Sequence, residues 1–121
     1  MENILIGVAD DEQFVHDLFQ KSISVIHDSL EVQCDIVDFY DTEDLLDYCY
    51  DNIDALDALF LDINFGEGNP QGTDALPDLR EVCPKLDIYM LSGMRLDERD
   101  TLGYTKTYGV EFIDKPVRSV V

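Results

Sequence analysis

Two hydrophobic periods alternate along this chain. Short apolar runs at residues 4–9, 32–39, 58–61, 88–91 and 110–113 each break off at polar or turn-forming residues. That is the pattern of buried strands, most often those of a parallel sheet. In the second run the apolar members are Val32, Cys34, Ile36 and Phe39. Between the runs, apolar residues recur at intervals of three and four. Phe14, Val15, Leu18, Phe19, Ile23 and Ile26 predict a first helix reaching about Leu30. Asp41 or Thr42 caps a second, continued by Leu45, Leu46, Tyr48 and Cys49 to about Asp51. A third is predicted over 73–82 and ended by Pro84, with Pro77 admissible only in its first turn. A fourth, weakened by Gly103 and several threonines, spans about 97–108, and Gly109 closes it. Five strands alternating with helices predict an α/β fold with a parallel sheet covered on both faces.

Length and composition narrow what such a fold does. The 121 residues suit one domain over 1–121, and an apolar fraction of 45% supplies a core. No apolar run approaches the ~20 residues of a membrane helix, and residues 1–7 lack the basic start of a signal peptide. Cys34, Cys49 and Cys83 form neither a zinc pattern nor a redox CxxC, so they read as reduced thiols of a cytoplasmic protein. The formal charge of −19, spread from end to end, repels nucleic acid and anionic membranes. His16 and His27 lie eleven residues apart on the first helix without a third ligand, and read as surface or edge histidines.

The chemistry gathers at the carboxyl ends of the strands, where open α/β sheets bind ligands. Asp10-Asp11 follows the first run, Asp62 ends the third, Ser92 ends the fourth and Lys115 follows the fifth. Carboxylates converging there repel one another, by about 4 kcal/mol at ~4 Å for an effective dielectric near 20. They either protonate in part or bind a divalent cation. Oxygen ligands without His or Cys point to Mg²⁺. A carboxylate in such a pocket is also a nucleophile toward a phosphoryl donor, with the cation and Lys115 neutralising the transferring group.

In this order and at these strand ends, the acidic pair, the Asp, the Ser and the Lys115-Pro116 step resemble the signature of response-regulator receiver domains, over residues 4–116. The resemblance implies a flavodoxin-like three-layer sandwich with strand order 2-1-3-4-5. It implies Asp62 as phosphoacceptor, with Asp11 and Asp62 as direct ligands of Mg²⁺ (or Mn²⁺). Asp10 acts mainly through water, and Asn64 lends its backbone carbonyl. Ser92 and Lys115 match the residues that sense the phosphoryl group, Phe112 the aromatic switch position, and Pro116 a cis-proline. The implied partners are a sensor histidine kinase or a histidine phosphotransfer protein, and a downstream effector, with no nucleic acid and no membrane. The implied role is regulatory: the domain catalyses only its own phosphoryl transfer and dephosphorylation.

Three departures stand beside the resemblance. Gly66 occupies the place of the usual proline after the acceptor, and Gly72 is displaced by about two residues. The fourth helix is poor in apolar periodicity. Residues 117–121 supply no more than one turn of a fifth helix, which leaves one sheet face open to a second copy or a partner. That shortfall motivates an alternative reading, a receiver-like interaction module that signals without phosphorylation. A phosphatase of the haloacid-dehalogenase type fits poorly, because those enzymes carry a DxD nucleophile motif on the first strand.

Overall fold

The computed structural model describes residues 3–30, 32–93 and 97–115. Nine elements follow in order: β1 (Asn3–Ala9), α1 (Gln13–Leu30), β2 (Gln33–Phe39), α2 (Thr42–Asp51), β3 (Ala58–Asp62), α3 (Gly72–Val82), β4 (Asp87–Ser92), α4 (Glu98–Tyr108) and β5 (Glu111–Asp114). The strands pair in parallel in the order β2-β1-β3-β4-β5, so β3 is central. This is the flavodoxin-like arrangement that the resemblance implies.

Alternation along the strands divides the core between two faces. Leu5 and Ala9 of β1, Leu59 and Leu61 of β3, and Ile88 and Met90 of β4 face α2 and α3, where they meet Leu45, Cys49, Leu76 and Leu79. Ile6 and Val8, Phe60, and Leu91 face the other way, against Val15 and Phe19 of α1. Phe60 fills that side, with ring centroids 4.7 Å from Phe19 and 5.1 Å from Tyr89. The buried positions of α1, at 15, 16, 19, 22 and 23, fall on one helical stripe.

Two helices need further explanation. In α3, Pro77 is the sixth residue rather than a first-turn one, and the helix runs on through it. Pro77 is exposed, while Ala75, Leu76 and Leu79 are buried. The missing amide therefore costs the ladder one bond on the solvent side, and the buried face holds the helix together. α4 forms although its sequence is weakly amphipathic. The Asp97 carboxylate accepts from the Arg99 amide at 2.8 Å, and Gly109, at φ 64°, closes the helix in the left-handed region. Only Thr101, Tyr104 and Tyr108 of its described side chains are half-buried. Arg80 of α3 ties down its end, donating to the carbonyls of Tyr108, Leu86, Cys83 and Gly109. Cys49 and Cys83 are buried free thiols and Cys34 is partly exposed. Burial, with Cys83 beside it, pushes the Cys49 thiol up to about 12 and keeps it protonated.

The cis bond expected at Pro116 and the shortfall of a fifth helix over 117–121 lie outside the described residues.

Candidate functional site

Three strand ends converge on one cleft. β1 delivers Asp10, whose amide donates to the Phe39 carbonyl at 3.0 Å and whose Oδ1 accepts from the Glu12 amide at 2.9 Å. β3 delivers Asp62, level with Leu91 of β4. Past β5, the Lys115 amide donates to the Ser92 carbonyl at 2.7 Å, which turns the lysine back over the sheet edge. Its ammonium lies 2.7 Å from Asp10 Oδ2 and 3.1 Å from Asp62 Oδ1. Asp10 is fully buried, Asp62 is 3% exposed, and Asp11 beside them is open to solvent. Asp11, Asp62, Asn64, Ser92 and Lys115 line a cleft of about 220 Å³.

The electrostatics follow from this crowding. Burial pushes the Asp62 carboxyl up to about 6, and the Asp10 charge adds to the rise. Lys115 and the Asn64 amide pull against it without cancelling it. For Lys115, burial opposes the charged form, but contact with Asp10 and the nearby Asp62 charge outweigh it and raise its pKa. Among the described residues, the cleft thus holds more negative charge than Lys115 offsets.

One carboxylate oxygen each from Asp10, Asp11 and Asp62 lie within 4.8 Å of one another. An all-oxygen set with one solvent-exposed member suits a hard cation that keeps part of its water shell. These residues fit Mg²⁺ or Mn²⁺.

The loop after Asp62 departs from the expected pattern for a definable reason. Gly66 and Gly68 have φ of 89° and 82°, where proline is impossible and other residues are strained. Gln71 staples the loop: its Oε1 accepts from the Phe65 amide at 3.0 Å, and its Nε2 donates to the carbonyls of Gly66 and Asn69. Asn69 adds a bond from Nδ2 to the Phe65 carbonyl, and the Asn64 side chain accepts from the Gly66 amide. Gly72 then opens α3 directly against the acid, its amide donating to Ile63 O at 2.9 Å. A Cβ there would stand 1.9 Å from the Asp62 carbonyl oxygen, so only glycine fits.

Phe112 lies apart from the cleft. It sits opposite Met90 on β5, half-buried, its ring centroid 6.5 Å from that of Tyr104. An open groove of about 490 Å³ between α4 and β5 borders it.

His16 differs from its expectation. It is 1% exposed, with Nδ1 2.6 Å from Asp38 Oδ1 and Nε2 2.8 Å from the Asp10 carbonyl oxygen. A polar side chain on the inner stripe of α1 is admissible because both ring nitrogens find partners. The sequence placed it at the surface or an edge because its partners, Asp38 of β2 and the carbonyl of Asp10 after β1, are distant in the chain. His27 is exposed beside Asp28, as expected.

No family profile and no curated protein matches this sequence. Solved structures do match. The CheX–CheY–BeF3–Mg²⁺ complex from Borrelia burgdorferi contains a chain that superposes with a TM-score of 0.77 at 19% identity, over 94% of this chain and 79% of that one. A CheY-like response regulator receiver domain protein from Methanospirillum hungatei JF-1 gives 0.74 at 18%, over 97% and 85%. This chain has the receiver-domain fold. The receiver domain of NtrX from Brucella abortus gives 0.72 at 24% identity, over 93% of this chain and 87% of that chain. At these identities the likeness is one of backbone architecture, and the chemistry is argued from the cleft itself. Among the described residues, no helix of this receiver fold is long and apolar enough to cross a membrane.

Proposed function

We propose that the chain is a phosphorylation-controlled signalling switch of a two-component system, accepting a phosphoryl group on Asp62. The observation that carries this reading is Asp62 itself: a buried carboxylate ending the central strand, grouped with two further acids and ion-paired to Lys115. One Asp62 oxygen attacks the phosphorus of a phosphohistidine on a kinase or phosphotransfer protein. The P–N bond breaks, and the electron pair leaves with the imidazole. With a pKa of about 6, Asp62 is mostly ionised near neutral pH and still a competent nucleophile. Lys115 neutralises charge on the phosphoryl oxygens. Asp10, Asp11, Asp62 and the Asn64 carbonyl would hold Mg²⁺, which supplies further positive charge at the phosphoryl group when bound. The likeness to the Borrelia CheX–CheY complex with BeF3 and Mg²⁺ supports this reading.

The readout runs through β4 and β5. Ser92 offers its hydroxyl to the new phosphoryl oxygens, and Phe112 reorients, changing the groove that Leu102, Thr105 and Phe112 line for an effector protein. Fluoroberyllate with Mg²⁺, which mimics an acyl phosphate, should shift amide resonances around Ser92 and along α4 in the wild type. Asp62→Asn should show none of these shifts. Equal responses in both proteins would refute the assignment of Asp62.

A further inference from the structure

Asp10 is held at four points, and one of them comes from a side chain outside the phosphoryl chemistry. The His16 ring is buried, with Nε2 against the Asp10 carbonyl and Nδ1 against the Asp38 carboxylate. A carbonyl oxygen only accepts, so Nε2 carries the hydrogen and donates. Asp38 at the other nitrogen fixes the rotation of the ring. Tyr40 packs against it with centroids 4.2 Å apart, and its hydroxyl donates to Gln13 Oε1 at 2.8 Å. The imidazole is therefore fixed by β2, by the segment after it and by α1.

What the ring fixes in turn is a peptide plane. The Asp10 carbonyl and the Asp11 amide belong to one rigid unit, so the bond from His16 sets the direction in which the Asp11 chain continues. Asp11 is the exposed acid of the triad, and its carboxylate has no hydrogen bond or ion pair to another described residue. Its aim into the cleft comes from the backbone alone. We propose that His16 is a positioning residue for the cation site: its Nε2–H holds the Asp10–Asp11 peptide so that both carboxylates point at one ion. This rests on the reading of Asp10, Asp11 and Asp62 as a Mg²⁺ site, and gives that site an outer partner of the kind that orients metal ligands elsewhere.

Two variants separate positioning from mere filling of space. His16→Gln keeps an N–H donor of similar reach, whereas His16→Met keeps bulk without a donor. Both lose the pair with Asp38, so both should unfold at a lower temperature than wild type. Mg²⁺ is titrated calorimetrically well below both midpoints. His16→Gln should stay within about twofold of wild-type affinity, and His16→Met should bind about tenfold more weakly, at the low end for an outer-shell partner. In the metal-free proteins, the Asp11 and Glu12 amide resonances should move in His16→Met and hold in His16→Gln. Wild-type affinity with unmoved resonances in His16→Met would overturn the proposal, as would equal weakening in both variants. A wild type that binds no Mg²⁺ would overturn the cation reading and the inference with it, which distinguishes that failure from a failure at His16 alone.

Discussion

Asp62 carries two demands in one side chain. As the proposed phosphoacceptor it must be buried enough to exclude water from an acyl phosphate, and ionised enough to attack. Burial and Asp10 raise its pKa from the ordinary 3.8 to about 6, which corresponds to roughly 3 kcal/mol against folding when the group is charged. The pH window follows from the sign. Below pH ~4 the carboxyl is protonated in both states and the penalty is absent. Between about 4 and 6 the unfolded chain ionises first, so stability falls as pH rises, and above 6 the loss is complete. Asp62→Asn should therefore be more stable than wild type by about 1–3 kcal/mol at pH 7.5, the lost contact with Lys115 trimming the gain. Urea unfolding at pH 4, 5, 6 and 7.5 should show that advantage shrinking toward zero at the acid end. A difference that stays constant with pH would mean that Asp62 is not the group under strain. The residues of this cluster were legible in the sequence because each ends an apolar run. His16 was not, because its partners, Asp38 and the Asp10 carbonyl, are brought to it only by the β1–β2 pairing.

At the scale of elements, the hydrophobic periods placed five strands and four helices within a residue or two of their observed bounds. Two features escaped them for different reasons. Pro77 was expected in a first turn, yet the buried stripe of Ala75, Leu76 and Leu79 carries α3 through it. The loop from Asp62 to Gly72 could not be read from family spacing, because its path depends on three bonds from one side chain, Gln71, and on two glycines at positive φ. The signal was present as Gln71 directly before a glycine-opened helix, but nothing local says that the amide folds inward. α4 is the element with the least core of its own, and Arg80 compensates with a guanidinium spread over four carbonyls. A lysine presents three donors from one point and cannot cover them. Arg80→Lys should cost about 1–3 kcal/mol and should raise hydrogen exchange at the end of α4 far more than in β3. Uniform exchange changes through the whole chain would show that Arg80 supports the fold at large and not the docking of α4.

Across the whole molecule, the sheet brings together residues spread from position 10 to position 115, and the receiver fold is what makes them one site. The charge of −19 concentrates this logic: the protein is acidic throughout, yet holds the half-buried Lys115 between Asp10 and Asp62, where the proposed phosphoryl group would arrive. The fold and the positions of Asp10, Asp11, Asp62, Ser92 and Lys115 were readable from sequence because strand ends are set by local pattern. The exact support of those groups, through His16, Gln71 and Gly72, was not, because it arises from contacts between distant segments. The central claim is that Asp62 takes the phosphoryl group, and intact mass after incubation with acetyl phosphate and Mg²⁺ tests it most directly. Wild type should gain the mass of one phosphoryl group and lose it again on incubation in base, whereas Asp62→Asn should gain none. Equal incorporation in the two proteins, or none in a folded, Mg²⁺-saturated wild type, would contradict the account.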